Sequence, residues 1–160
     1  MTTSEFGELT KGVFPSILRD TYADPKTQPF WDAAWEDRLV APKCTSCGTF
    51  RLPPSAYCFN CRSRDVQWVD LPGTGTIYSF TVVRHPLHPD FAVICPYVSG
   101  VVELDGTQGA GARMLVNIID CDPETVRIGD KVQIVWEHVG DEMSTPRFRP
   151  IHGASKARRR

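Results

Sequence analysis

Hydrophobic and polar positions change period along this chain, and the changes mark its elements. Up to about Pro15 no period is visible. Phe14, Ile17 and Leu18 then suit one short amphipathic turn, and Ala23–Gln28 interrupts it. Pro29 is placed to open a second helix, since its missing N–H has no partner in a first turn anyway. Across Phe30–Leu39, Trp31, Trp35 and Leu39 recur at i, i+4 and i+8, with Asp32, Glu36 and Asp37 on other faces. This predicts an amphipathic helix with two tryptophans on its apolar stripe. The stripe packs either on the chain's own core or on another protein, where Trp is enriched at hot spots. Phe30, Trp31 and Trp35 are therefore candidate partner contacts.

From Val66 onward the period shortens to two, and β-branched and aromatic residues dominate. Strands are predicted at Val66–Leu71, Gly75–Val83, Ala92–Cys95, Tyr97–Leu104 and Arg113–Ile119, and around Val132, Ile134 and Trp136. Pro146–Pro150 reads as a short edge piece. The breaks are Pro72–Gly75, the two-proline loop Arg84–Pro89, Asp105-Gly106, Gly109–Ala112 and Ile128-Gly129-Asp130. Short strands with almost no helix between them predict a small closed barrel, and the five-stranded OB-fold fits best in size. The fold class is mainly β: a helical N-terminal segment (1–40), a metal-binding ribbon (41–65), a barrel (66–151) and a basic tail (152–160).

The ribbon follows from four cysteines in two pairs, Cys44-Thr-Ser-Cys47 and Cys58-Phe-Asn-Cys61, ten residues apart. Two C-x-x-C knuckles place four thiolates at the corners of a tetrahedron, the geometry and donor set that zinc prefers and iron also accepts. The separation is below the usual ~15–20 residues of this pattern. Gly48 suits a knuckle turn that brings backbone N–H groups toward sulfur. Disulfides and a thioredoxin-like redox pair fit less well: no basic, apolar leader precedes the cysteines, and no βαβ pattern surrounds either pair. A cytoplasmic setting is expected. Cys95 and Cys121 stand alone in or beside apolar segments and read as small packed residues.

Charge and motifs then narrow the function. The net charge of −1 becomes −5 once the four positive charges of Lys156, Arg158, Arg159 and Arg160 are set aside. An acidic body argues against general nucleic-acid binding, which rests on phosphate neutralisation. Tyr78, Phe80 and Tyr97 would be the stacking platform of that alternative. No apolar run approaches the ~20 residues of a membrane span. No G-x-S-x-G, H-E-x-x-H or P-loop is present. A four-cysteine site leaves no open position for water, so its metal serves structure. His85 and His88 flank Pro86 in a loop, and read as partner contacts before catalytic groups. Asp120, Asp122 and Glu124 read as a solvated turn. Arg62 and Arg64, after the second knuckle, form a small basic cluster.

Pro29-Phe30-Trp31, the cysteines with Gly48, Pro53, Gly73-x-Gly75-x-Ile77-Tyr78-Ser79 and Ile128-Gly129 occur in an order that covers residues 28–150. In this the chain resembles the acyl-CoA-associated OB-fold proteins with a rubredoxin-like zinc ribbon. The resemblance implies a non-catalytic subunit that supports a thiolase-superfamily enzyme, a lipid-transfer-like thiolase or an aldolase. The enzyme would act on acyl-CoA C–C bonds in steroid side-chain or aromatic acid degradation, with acyl-CoA at the shared interface and Arg62 and Arg64 as the candidate contacts to its CoA phosphates.

Overall fold

The computed structural model describes residues 24–86, 88–107, 111–139 and 143–151. The turn read at Phe14, Ile17 and Leu18 and the basic tail lie outside the described residues. Helix α1 spans Gln28–Trp35, with Pro29 in its first turn. It is shorter than the sequence pattern implies. Glu36 caps it, Asp37 turns the chain at φ 58°, and Leu39 is buried beyond the helix end. The buried face is Phe30, Ala33 and Ala34, not the Trp31/Trp35/Leu39 stripe. Small side chains let the helix approach strands closely, and the larger tryptophans are left toward the rim.

Strands β1 (Val40–Cys44) and β2 (Val66–Asp70) pair antiparallel, from Val40↔Asp70 to Cys44↔Val66. They tie the two ends of the ribbon together. Five further strands close a barrel: β3 (Thr74–Val83), β4 (Tyr97–Leu104), β5 (Arg113–Ile118), β6 (Lys131–Val139) and β7 (Met143–Pro150), in the order β3-β4-β5-β7-β6. This closed five-stranded barrel is an OB-fold. Ile77, Val98, Val102, Val132 and Phe148 fill it and are 0–1 % exposed. At Gly75 β4 leaves no room for a side chain: a Cβ there would lie 2.5 Å from Val102 Cγ1 and 2.6 Å from the Glu103 carbonyl oxygen. Helix α1 packs on β7 and β1.

Two strand expectations are corrected. Ala92–Cys95 is not a strand: a 3-10 turn at Pro89–Phe91 continues through local bonds from Ala92, Ile94 and Cys95 N–H to Pro89 and Phe91 carbonyls. Prolines at 89 and 96 bracket the segment, and its apolar residues mimic a strand without a ladder partner. Pro146–Pro150 is not a short edge piece but part of an eight-residue barrel strand paired with β6 along its whole length. The Phe148 carbonyl accepts from Ile119 N–H on the β5 side. Pro146 and Pro150 share its parity, so their missing donors fall on that side and leave the β6 ladder intact.

Candidate metal centre and the cleft beside it

The ribbon brings the sulfurs of Cys44, Cys47, Cys58 and Cys61 within 4.8 Å of one another. Cys44 Sγ is 3.6 Å from Cys61 Sγ, and Cys47 Sγ is 3.5 Å from Cys58 Sγ. All four are free thiols. A tetrahedral ion with metal–sulfur bonds of ~2.3 Å sets sulfurs ~3.8 Å apart, so the spacing fits such an ion and is far too long for disulfides. Cys44 and Cys58 are buried, Cys47 and Cys61 exposed. The cluster could hold a tetrahedral metal ion on its four thiols.

Backbone turns build both knuckles in the same way. Gly48 N–H donates to the Cys44 carbonyl at 2.9 Å, with φ 75°. Arg62 N–H donates to the Cys58 carbonyl at 2.8 Å, with φ 62°. The second knuckle therefore holds an arginine in a left-handed conformation that favours glycine. Arg62→Gly is expected to stabilise the protein by ~1 kcal/mol, seen as a rise of a few degrees in thermal midpoint. An unchanged or lowered midpoint would contradict this account of the turn.

Charge at the sulfurs is uneven. The Thr49 hydroxyl and backbone N–H beside Cys47 draw its thiol down to about 6, although desolvation opposes them. At Cys44, burial acts against ionisation, but the backbone N–H groups of Cys47 and Ser46 outweigh it and the pKa falls. At Cys61 the Ser63 N–H favours the thiolate; the neighbouring sulfurs of Cys47, Cys44 and Cys58, together with desolvation, override it and push the thiol up to about 12. Four thiolates so close repel one another, and only a cation lets all of them ionise.

Arg51 was not singled out from the sequence. It is 1 % exposed, and its guanidinium donates to four carbonyls: Ser55 (3.3 Å), Ser63 (3.5 Å), Arg64 (3.3 Å) and Asp65 (2.6 Å). It thereby ties the inter-knuckle loop to the residues that follow the second knuckle. The one signal for it is a charged residue between Phe50 and Leu52 in an otherwise buried stretch.

The remaining sequence candidates separate in space. A cleft of about 580 Å³ opens between α1, Leu52–Pro54, β5 and β7, and Trp31, Pro53, Met114, Leu115 and Arg147 help to line it. Phe30 is buried behind Trp31, the rings meeting edge-on at 5.1 Å. Trp35 is half-exposed at the other end of α1, edge-on to His138 at 5.4 Å; His138 Nε2 is 3.1 Å from Asp37 Oδ1. His85 and His88 are exposed on the β3–β4 loop and do not line this cleft. Arg62 and Arg64 are exposed on the ribbon. The Arg64 guanidinium sits over the Tyr57 ring at 4.8 Å and donates to its hydroxyl.

Two other candidate chemistries recede. Burial, followed by Asp120, Asp122 and Asp130, raises the Cys121 thiol to about 11, which keeps it protonated and poorly nucleophilic near neutral pH. Of the nucleic-acid platform residues, Tyr78 is half-exposed with Arg113 over its ring at 3.5 Å, and Phe80 and Tyr97 are half-buried. Among the described residues no helix is long and apolar enough to cross a membrane.

The architecture is a four-cysteine ribbon joined to a five-stranded OB barrel. Residues 31–67 match the ChsH2 rubredoxin-like zinc ribbon domain, and residues 68–137 match the ChsH2 C-terminal OB-fold domain. The chain belongs to this ChsH2-type DUF35 family. It is 38 % identical over 137 residues to a probable enoyl-CoA hydratase alpha subunit of Thermomonospora curvata, covering 85 % of this chain and 41 % of that one. It is 32 % identical over 122 residues to the 3-oxo-4,17-pregnadiene-20-carboxyl-CoA hydratase alpha subunit of Mycobacterium tuberculosis, covering 76 % and 35 %. The chain thus spans about two-fifths or less of the length of these relatives. A solved structure described as the Ltp2-ChsH2(DUF35) aldolase matches 81 % of this chain and 98 % of its own, at TM-score 0.70 and 35 % identity.

Proposed function

We propose that this chain is a non-catalytic accessory subunit that binds and supports a thiolase-superfamily enzyme acting on acyl-CoA C–C bonds. One observation carries the reading: the likeness, over 81 % of this chain and 98 % of that one, to the DUF35 chain of an aldolase named for two components. The hydratase subunits among the relatives favour a degradative route for steroid-like acyl-CoA substrates. The metal is zinc, because four thiolates and a closed tetrahedron suit it and it brings no redox chemistry. Free thiols throughout the described chain suit a reducing cytoplasm. Trp31 and Trp35, with Phe30 behind them, form the partner face on α1, and His85 and His88 add contacts from their loop. Arg62 and Arg64 are the candidate contacts to CoA phosphates, placed on the exposed side of the second knuckle.

Co-expression of the tagged chain with the thiolase-like protein of its host tests this. A stoichiometric complex is expected. Trp31→Ala with Trp35→Ala should weaken it by at least ~2 kcal/mol, about 30-fold, as hot-spot tryptophans do. Purification of the wild-type chain alone would overturn the reading.

A further inference from the structure

The barrel is closed at β5 and β7 by one short contact. Their parallel pairing is confined to Ile118↔Phe148, supplemented by the bond from Ile119 N–H to the Phe148 carbonyl. Beyond it no bridge joins the two strands, and residues of both line the cleft. The parity of Ile119 gives the backbone groups of Asn117, Leu115 and Arg113 the same direction, toward the β7 side. The β4–β5 register runs without a shift from Val98↔Ile118 to Glu103↔Arg113, so this parity holds along the strand. Among the described residues, no bridge joins Arg113 or Leu115 to β7 on that side. The β7 side cannot supply the missing ladder at Pro146, which has no N–H.

An open strand edge is a template for another strand, and proteins usually blunt one with lysine, proline or a bulge. Arg113–Asn117 itself carries no lysine, proline or bulge. Leu115, at the centre of the edge, is 73 % exposed. The surroundings define the occupant. The cleft is lined by apolar side chains from α1, Leu52–Pro54 and β5, and two guanidiniums, Arg113 and Arg147, border it against one carboxylate, Asp24. Arg147 spends Nε on Glu137 and Nη1 on Asn117, both at 2.5 Å, which leaves Nη2 to donate. Arg113 spends Nε and Nη2 on Glu103 Oε2, which leaves Nη1.

We infer that the cleft takes an extended segment of the thiolase-fold partner enzyme, which adds as a strand to the free edge of β5. Its apolar side chains enter between Trp31 and Leu115, and a carboxylate meets Arg113 or Arg147. Backbone bonds supply the affinity and the cleft supplies the selectivity. The inference rests on the accessory-subunit reading and names the surface that reading uses.

The test uses the full chain co-expressed with the partner enzyme. Leu115 is solvent-exposed, so Leu115→Lys should leave the thermal midpoint of the isolated chain unchanged while blunting the edge. The expected result is at least a tenfold loss of affinity. In the wild-type complex, hydrogen exchange should slow at residues 113–117. A photo-crosslinker at position 115 should map to one continuous segment of the partner. Undiminished affinity of Leu115→Lys in a complex that still forms would overturn the inference and spare the reading. So would adducts confined to residues 1–23 of the same chain or to a second copy, and so would unchanged exchange at 113–117. Failure of the wild-type chain to bind any thiolase-fold enzyme would remove both.

Discussion

Cys58→Ser protein should be recovered without metal and largely insoluble. Cys58 is 1 % exposed, its sulfur is 3.5 Å from that of Cys47, and its carbonyl anchors the second knuckle through Arg62 N–H. The segment between β1 and β2 has little apolar core of its own; Phe50 and a few neighbours must order more than twenty residues. The metal supplies the rest, since in such sites binding energy is folding energy, ~10–16 kcal/mol in zinc-ribbon-sized peptides. Loss of one thiolate removes a large part of it, and the damage should spread to α1, which packs on β1, and to the cleft bounded by Leu52–Pro54. Metal analysis and a solubility assay check this; a soluble, metal-free Cys58→Ser protein that still bound its partner would refute it. The same geometry fixes a pH dependence. The Cys47 thiol, drawn down to about 6, loses its thiolate only below that pH, whereas the Cys61 thiol, pushed up to about 12, holds a proton that the metal must displace. Binding therefore releases protons, and affinity should rise with pH. The stabilising share of Cys47, present above its unfolded value near 9, disappears as the pH falls through about 6. Metal loss on acidification should accordingly steepen there.

How much of this could be read in advance depended on whether the constraint was local. The C-x-x-C pairs were legible because ligand spacing is a covalent matter, and the separation of ten residues proved compatible with a cluster of sulfurs within 4.8 Å. The barrel strands were legible where alternation was backed by burial, as at Val98, Val102 and Leu104 in β4. Phe91–Cys95 is as apolar as a strand, but its hydrogen bonds close over three or four residues, and periodicity does not report bonding partners. In α1 the two tryptophans suggested the buried stripe, whereas close approach to β7 selected Ala33 and Ala34. The sparse pairing of β5 with β7 left no trace in the sequence, because it depends on how two strands about 25 or more positions apart meet. Arg62 drew notice for its charge, and the structure adds a backbone role that its side chain does not announce.

Arg51→Met should lower the thermal midpoint by roughly 10 °C, although it preserves most of the buried side-chain volume. The methionine can fill the space of the arginine stem, so the lost term is hydrogen bonding. Four carbonyls, of Ser55, Ser63, Arg64 and Asp65, would lose their common donor. Each buried acceptor left unsatisfied costs ~1–3 kcal/mol, and some rehydration brings the sum to about 3–5 kcal/mol. In a chain of this length that corresponds to roughly 2–4 °C per kcal/mol. Charge adds to the effect. A metal held by four thiolates carries a net charge of about −2 when the ion is divalent, and the buried guanidinium of the same ribbon offsets part of it. Arg51→Lys separates the two contributions. Lysine restores the charge but not the planar fork that reaches carbonyls on both sides of the loop. If hydrogen bonding dominates, Arg51→Lys should melt close to Arg51→Met; if charge dominates, it should melt close to wild type and retain metal as well. A fall of less than about 2 °C in Arg51→Met, by calorimetry on the metal-loaded protein, would show that the loop closes without its clip, and the metal alone would then have to account for the order of the ribbon.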